Sequence, residues 1–168
     1  LPPLPSGAGA VAAGPGLGTG AGVTTLVGAL RERASRLVLD ADAINVHRDD
    51  PASLADHAGD LVLTPHEREL ARIGGGSDGQ SAFAQRVRRV PELAARWRAT
   101  VVAKGPGTMI ASPDGRVWVT PIGGPALGSG GTGDALTGII SAPIAIAEEH
   151  GLAVARAVWW HAAAGLRA

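Results

Sequence analysis

Residues 36–40 read RLVLD, a short apolar run that ends in an acid. Two further short apolar runs also end in a polar residue, LVLT at residues 61–64 and VVAK at residues 101–104. Short continuous apolar runs bounded by polar residues are typical of strands buried on both faces. Helix-like stretches separate these runs. The order of elements therefore predicts an α/β fold with a mostly parallel central sheet and helices on both faces.

The remaining elements follow from hydrophobic spacing and turn residues. Thr64 and Pro65 suit the cap and first turn of a helix that continues through HERELARI. Pro91 predicts either one interrupted helix or a broken pair within residues 81–98, and Pro143 should kink or end the helix that begins near residue 133. The other predictions are strands at 11–13, 36–39, 61–63 and 100–103, a hairpin of 108–111 and 117–120 around SPDGR, a loop in GGGSDG, and helices at 23–33 and 152–166.

Composition bounds the class of protein. The 168 residues are 45% hydrophobic and 18% charged, which is typical of one globular domain, here predicted to span residues 1–168. A formal net charge of zero argues against nucleic acid or a membrane as a partner. The absence of cysteine excludes a disulfide scaffold and fits a cytoplasmic protein. The chain opens on a glycine loop with hardly any strand before it, so we expect an N-terminally incomplete domain.

Charged and glycine-rich segments follow the predicted strands, at the edge where open α/β sheets bind ligands. Asp40 and Asp42 suit Mg²⁺ held through water or a contact with substrate, although Asp42 is equally suited to capping a helix. The loop GPGLGTG, residues 14–20, lets a ligand approach the backbone closely, but its spacing is not that of a dinucleotide fingerprint.

Residues 128–138, GSGGTGDALTG, carry the strongest chemical signal. Small residues expose backbone N–H groups, and the following helix directs its positive end at the same place. Such a loop stabilises charge on a transferred phosphoryl group, and Asp134 is placed to act as base for a substrate hydroxyl. The alternative is that Thr132 or Asp134 only caps the helix.

Two further residues have both a functional and a structural interpretation. Lys104, in KGPGT at the end of a predicted buried strand, suits phosphate as a compact charge, or else it reaches solvent as an ordinary strand-end lysine. His66, in a predicted first helical turn, suits ligand binding or is a polar surface residue.

The ordered set GPGLGTG, LDADAIN, LTPHERE, VVAKGPGT and GGTGDALTGII resembles the ADP/ATP-dependent NAD(P)H-hydrate dehydratase family of the ribokinase-like superfamily. The resemblance covers almost the whole chain. It implies a ribokinase-like three-layer αβα fold lacking its N-terminal portion. The implied activity is repair of hydrated NADH and NADPH: ADP or ATP phosphorylates the ring hydroxyl, with Mg²⁺ as cofactor, and phosphate then leaves.

The resemblance also implies roles for individual residues. Asp134 would be the catalytic base, and the anion hole would comprise Gly131, Thr132 and Gly133. The nucleotide would contact Lys104, Gly105, Pro106, Gly107, Thr108 and Gly133. The hydrated dinucleotide would be held by Gly16, Gly18, His66 and Asp134. Asp40 or Asp42 would lie near the magnesium and phosphates, and the protein would be a homo-oligomer, commonly a tetramer.

Two alternative functions use the same residues. A ribokinase-like kinase of a small molecule, such as a vitamin precursor, would share Asp134 and the anion hole but release a phosphorylated product. A non-catalytic nucleotide-binding module would bind nucleotide without turnover.

Overall fold

A mixed six-stranded sheet forms the centre of the molecule in the computed structural model, which describes residues 8–74, 82–146 and 149–167. Strand order follows the sequence from β1 to β6. Strands β1 to β4 are parallel, and β5 is antiparallel to both β4 and β6. The strands are β1 (Val11–Ala13), β2 (Arg36–Leu39), β3 (Asp60–Leu63), β4 (Ala99–Ala103), β5 (Thr108–Ala111) and β6 (Val117–Thr120).

Helices cover both faces of this sheet. Short 3₁₀ turns at Pro51–Asp56 and Pro125–Gly128 complete the connections. The α-helices in the described part of the chain are α1 (Ala21–Arg33), α2 (Ala41–Asn45), α3 (Glu67–Gly74), α4 (Ala82–Trp97), α5 (Thr132–Ile144) and α6 (His150–Gly165).

Alternation along the strands divides the core in two. Leu37 and Leu39 of β2 face a cluster that includes residues of α1 to α4, whereas Val38 faces a cluster with α5 and α6. Strands β3 and β4 alternate in the same way. Because both faces are buried, the strands read as continuous apolar runs. The predicted three-layer αβα fold is therefore confirmed.

Most predicted elements are confirmed, with differences at their ends. Strands β3 and β4 begin one residue earlier than expected, α1 and α6 begin two residues earlier, and α6 ends one residue earlier. The hairpin around SPDGR pairs Thr108 with Thr120. Helix α5 ends one residue after Pro143, as predicted. The broken pair at Pro91 is wrong, since α4 runs through this residue and packs its buried face on the sheet. The loop after Gly74 and Ser81 lie outside the described residues.

Backbone hydrogen bonds continue the parallel ladder beyond the strand ends. The N–H of Asp40 donates to Ala13 at 3.0 Å, and the N–H of Thr64 donates to Leu39 at 3.1 Å. The N–H of Lys104 donates to Pro65 at 2.9 Å. The residues that follow β2, β3 and β4 are thus held side by side at the carboxyl edge.

Within the described residues, no helix combines the length and apolar character needed to cross a bilayer.

A buried histidine lies below α2, away from that edge. His47 Nδ1 is 2.9 Å from Ser53 Oγ, whose hydroxyl donates to the Asp50 carbonyl at 2.7 Å. The hydroxyl proton is therefore used, so Nδ1 donates and Nε2 is left as a buried atom without a partner. Burial, and secondarily the Arg31 charge, lower the pKa of His47 to about 4, against a smaller opposing effect of Asp50.

This histidine should make the fold less stable in mild acid. Its pKa lies below the value of 6.5 in the unfolded chain, so the unfolded state binds more protons between these two values. The stability that the neutral His47 contributes is fully present above the unfolded pKa of 6.5, and it is lost as the pH falls toward the folded pKa of about 4. We expect His47 to lower the free energy of unfolding by about 2 kcal/mol at about pH 5 relative to about pH 7.5. Urea denaturation of wild type and His47→Asn measures this, and an identical pH dependence in both proteins would contradict it.

Candidate active site

The carboxyl ends of β2 and β4 meet the N-terminus of α5. Asp40 follows β2, Lys104 follows β4, and Gly133 lies in the first turn of α5. A Cβ placed on Gly133 would lie 3.5 Å from Lys104 Nζ and 3.8 Å from Asp40 Oδ2. The structure thus brings together three segments that are far apart in sequence.

A buried ion pair lies at this junction. Lys104 Nζ donates to Asp40 Oδ1 at 2.8 Å, and Thr137 Oγ1 of α5 donates to Asp40 Oδ2 at 3.0 Å. Asp40 is 1% exposed. Both carboxylate oxygens therefore have partners, as a buried charge requires. The interpretation of Lys104 as an ordinary solvent-reaching residue is wrong, because its ammonium bonds a buried carboxylate.

The glycine loop leaves the start of α5 uncapped by any side chain. Its N-cap is Gly131, which has φ 87°, a conformation that glycine adopts without strain. Thr132 Oγ1 lies instead 2.7 and 2.8 Å from the Leu127 and Ser129 carbonyl oxygens, which share its single hydroxyl proton. The interpretation of Thr132 or Asp134 as a simple cap is therefore wrong. The N–H of Thr132 makes a long bond to the Ser129 carbonyl at 3.4 Å, and among the described residues the N–H groups of Gly133 and Asp134 remain available for an anion.

Asp134 is exposed in the first turn of α5. No hydrogen bond or ion pair within the described part of the chain uses its carboxylate. Its position beside the open N–H groups of the helix places a free carboxylate next to the region suited to a phosphoryl group. That is the arrangement a base needs in order to deprotonate a hydroxyl attacking phosphorus.

The segment KGPGT forms a tight connection between β4 and β5. Gly105 and Gly107 have φ values of 145° and 63°. Thr108 Oγ1 donates to the Gly105 carbonyl at 2.9 Å, which closes the loop. These contacts present the loop at the carboxyl edge beside Lys104.

Arg86 of α4 hydrogen-bonds the backbone of this loop, and the sequence did not predict this role. Its guanidinium donates to the Pro106 carbonyl at 2.5 Å and to the Lys104 carbonyl at 3.4 Å. Arg86 is 7% exposed, and burial lowers its pKa, opposed by the nearby charge of Glu67. A Cβ on Gly105 would lie 2.4 Å from Arg86 Nη1, so glycine is needed for this contact.

Helical spacing carried a signal that could have identified Arg86. Arg86, Val90, Leu93 and Trp97 recur at intervals of three or four residues, which places them on one face of α4. The three apolar members are buried. An arginine on a buried face needs several carbonyl or carboxylate partners.

The first glycine loop is attached to the β2–α2 junction. A Cβ on Gly14 would lie 1.7 Å from the Asp40 carbonyl, so no larger residue fits there. Gly16 and Gly18 have φ values of 71° and 76°. The N–H of Gly18 donates to Asp42 Oδ2 at 2.8 Å. Asp42 therefore orders this loop, and its interpretation as a helix cap is wrong, because Asp40 occupies the N-cap position of α2.

His66, and not Thr64, caps α3. The N–H groups of Arg68 and Glu69 donate to His66 Nδ1 at 3.0 and 3.4 Å, and Glu69 Oε2 accepts from the His66 N–H at 2.8 Å. This is the reciprocal arrangement of a capping box, with an imidazole replacing the usual hydroxyl. Thr64 Oγ1 instead donates to the Leu39 carbonyl at 3.3 Å, so the predicted Thr64 cap is wrong.

His161 of α6 is a second residue near the site that the sequence interpretation missed. Burial lowers its pKa, a hydrogen bond with the Thr132 backbone raises it, and the Lys104 charge lowers it. The imidazole therefore lies between α6 and the start of α5. Its spacing from other histidines gave no signal, because only the packing of α6 on α5 brings it here.

A preformed metal site would need several carboxylates or imidazoles gathered at one point. Among residues 8–74, 82–146 and 149–167, no group of three or more His, Asp or Glu side chains is arranged to hold a metal ion. Asp40 and Asp42 bond different partners, at the ion pair and at Gly18. Mg²⁺ nevertheless commonly binds through one or two carboxylates together with substrate phosphates. Only one oxygen of Asp42 accepts a hydrogen bond from the described residues, so Asp42 fits such a role better than Asp40.

This fold, with glycine-rich loops suited to anions at the carboxyl edge of the sheet, is of the ribokinase-like class. A model of the NAD(P)H-hydrate dehydratase family matches residues 4–168, and the chain belongs to that family.

Individual relatives agree with this assignment. A bifunctional NAD(P)H-hydrate repair enzyme of Gloeobacter violaceus is 46% identical over 156 residues, covering 93% of this chain and 30% of that protein. An ADP-dependent (S)-NAD(P)H-hydrate dehydratase of Neisseria meningitidis is 41% identical over 155 residues, covering 90% of this chain and 52% of that protein.

The fold matches a solved member of the family. The structure of an ADP/ATP-dependent NAD(P)H-hydrate dehydratase from Bacillus subtilis, co-crystallized with ATP and Mg²⁺, superposes with a TM-score of 0.72 and 34% identity. The match covers 92% of this chain and 53% of that one. The chain thus spans about half the length of two of these relatives and less of the third.

The buried arginine below KGPGT gives a test of the site's architecture. Arg86→Lys retains charge but cannot reproduce the planar fork that reaches two carbonyls. We expect the free energy of unfolding to fall by about 2 kcal/mol, because hydrogen bonds to a charged group are lost. Urea denaturation measures this. The matched control is Arg88→Lys on the exposed side of the same helix, and equal stability of the two variants would contradict the role of Arg86.

Proposed function

We propose that this protein dehydrates hydrated NADH and NADPH, using ADP or ATP to phosphorylate the hydroxyl that water added to the nicotinamide ring. The observation that carries the proposal is the free carboxylate of Asp134 beside the open N-terminus of α5, with Lys104 close by. Membership in the dehydratase family supports the choice of reaction. The ADP-dependent and ADP/ATP-dependent relatives support the choice of nucleotide and of substrate.

Each step in this proposal has a group suited to it. Asp134 takes the proton of the ring hydroxyl, whose oxygen bonds to the terminal phosphorus of the nucleotide. The bond from that phosphorus to the bridging oxygen breaks, and AMP leaves from ADP, or ADP from ATP. The N–H groups around Gly131, Thr132 and Gly133 stabilise the charge on the transferred phosphoryl oxygens. The carbon–oxygen bond then breaks with its electron pair on the oxygen, so that phosphate leaves, and loss of a proton from the neighbouring ring carbon restores the double bond.

Binding roles are proposed for the surrounding loops. The KGPGT loop, Lys104 to Thr108, contacts the phosphates and ribose of the nucleotide together with Gly133. Gly16 and Gly18 present backbone to the hydrated dinucleotide, near which we also place His66. Because both ring nitrogens of His66 face Glu69 or its own helix, its contact with substrate would use the exposed edge of the ring.

We place Mg²⁺ beside the phosphates of the bound nucleotide. The cation would supply charge neutralisation on the phosphates. We place Asp42 nearest to it, through water, since Asp42 has an oxygen without a protein partner among the described residues and Asp40 has none to spare.

We further propose a cytoplasmic homo-oligomer, and the tetramer that is common in the family is the assembly to test. Trp159 and Trp160 of α6 are 50% and 69% exposed, and such apolar surface is typical of interfaces. The chain's lack of cysteine is compatible with a reducing compartment. Light scattering of the full protein measures the assembly, and a monomer at micromolar concentration would contradict it.

The activity itself is tested with the full protein, hydrated NADH and either ADP or ATP. We expect absorbance of the reduced nicotinamide to recover and phosphate to be released. A phosphorylated product that accumulates without recovery would instead identify a small-molecule kinase. Nucleotide binding without any turnover would identify a non-catalytic module.

Replacing the proposed base should separate chemistry from binding. Asp134→Asn should lower turnover by on the order of 10³-fold, because a positioned general base contributes about that much. Nucleotide affinity, measured by calorimetry, should change by less than about twofold, since the N–H groups and Lys104 remain. Asp114→Asn, in the hairpin turn at the opposite edge of the sheet, serves as the control. Retained turnover in Asp134→Asn would remove this residue from the role of base.

A further inference from the structure

Lys104 is the only lysine in the sequence, and apart from histidine every other basic residue is arginine. Its side chain is 20% exposed, and its ammonium bonds Asp40 at 2.8 Å. An ammonium is a compact charge with three donors, whereas a guanidinium is a broad planar fork. Lysine therefore places a compact charge, and not a broad one, beside Asp40.

The Asp40 carboxylate is buried, whereas a carboxylate that binds a ligand directly must be accessible to it. It is 1% exposed, and its two oxygens accept from Lys104 and from Thr137. These partners belong to the end of β4 and to α5. The carboxylate therefore ties three segments together: its own strand end, the nucleotide loop and the helix that carries Asp134.

The backbone of α5 passes directly over this ion pair. Gly133 has no side chain to cover Lys104, since an added Cβ would lie 3.5 Å from the ammonium. One ammonium N–H donates to Asp40, and the other two, which have no acceptor among the described residues, remain for an anion at the helix N-terminus. The geometry leaves the lysine charge open toward the same place as the first N–H groups of α5.

We propose that Asp40 is a positioning residue that fixes the Lys104 ammonium at the N-terminus of α5, and that it is not a metal ligand. Asp40 acts on nucleotide phosphate only through Lys104. The inference rests on the proposed function for the identity of the anion. It goes beyond that function by assigning to the buried carboxylate the coupling of the nucleotide loop to the catalytic helix.

A double-mutant cycle on nucleotide affinity tests this dependence. Asp40→Ala should weaken ADP binding about tenfold, the scale of one lost hydrogen bond to a charged group. Lys104→Ala should weaken it at least as much, and the double variant should bind no worse than Lys104→Ala. Losses that multiply in the double variant would show that Asp40 acts independently of Lys104 and would overturn the proposal.

Magnesium separates positioning from metal binding. The loss in Asp40→Ala should be the same in EDTA and with saturating Mg²⁺, because the metal takes no part in the Asp40–Lys104 contact. A loss that appears only with Mg²⁺ would assign Asp40 to the metal and overturn the proposal.

Two further variants guard against effects on folding. Asp40→Asn keeps the shape and a hydrogen-bond acceptor for Lys104, so it should retain more ADP affinity than Asp40→Ala. Asp60→Asn removes a carboxylate that pairs with His150 at the opposite edge of the sheet, at 3.2 Å, and should leave ADP affinity unchanged. Equal losses in Asp40→Asn, Asp40→Ala and Asp60→Asn would indicate general destabilisation and overturn the proposal.

A readout without nucleotide keeps this inference separate from the proposed function. The ¹³Cε signal of Lys104, identified by its disappearance in Lys104→Arg, should report an immobile side chain in wild type and a mobile one in Asp40→Ala. If wild type binds neither ADP nor ATP, the proposed function fails, while the NMR comparison still decides whether Asp40 holds Lys104. Equal mobility in both proteins would overturn the positioning role.

Discussion

The contact between Asp40 and Lys104 is the interaction on which the carboxyl edge depends. A carboxylate that is 1% exposed is stable only when its charge is balanced and its oxygens are bonded. Lys104 and Thr137 meet both requirements. Because these partners come from β4 and α5, the balance is reached only when the sheet and the helix are packed together.

The parallel register supplies the frame for that contact. Strands β1 to β4 run in one direction, so the residues that follow them lie at one edge. Backbone hydrogen bonds beyond the strand ends hold these residues side by side. Glycines at positions 14 and 105 then allow the chain to pass close to Asp40 and Arg86. The site is thus a product of strand direction and small residues.

Residues with local signals could be interpreted from the sequence, and residues that act across the fold could not. The strands, the hairpin and the end of α5 at Pro143 were predictable, because apolar runs, turn residues and proline act over a few positions. Arg86 and His161 were missed, since their partners lie 18 to 20 residues away for Arg86 and on another helix for His161. The Thr64 cap was mispredicted because an imidazole can accept the same hydrogen bonds.

The sequence by itself determined the class of fold and the sheet edge at which charged and glycine-rich segments gather, since hydrophobic period and glycine clusters are properties of the chain. Only the tertiary structure decided how the acids divide their roles. Asp40 and Asp42 are two positions apart, yet one faces a lysine and the other a glycine loop, because β2 ends at Leu39 and the chain turns into α2. Such a turn redirects neighbouring side chains, and spacing in the sequence does not show where they will point.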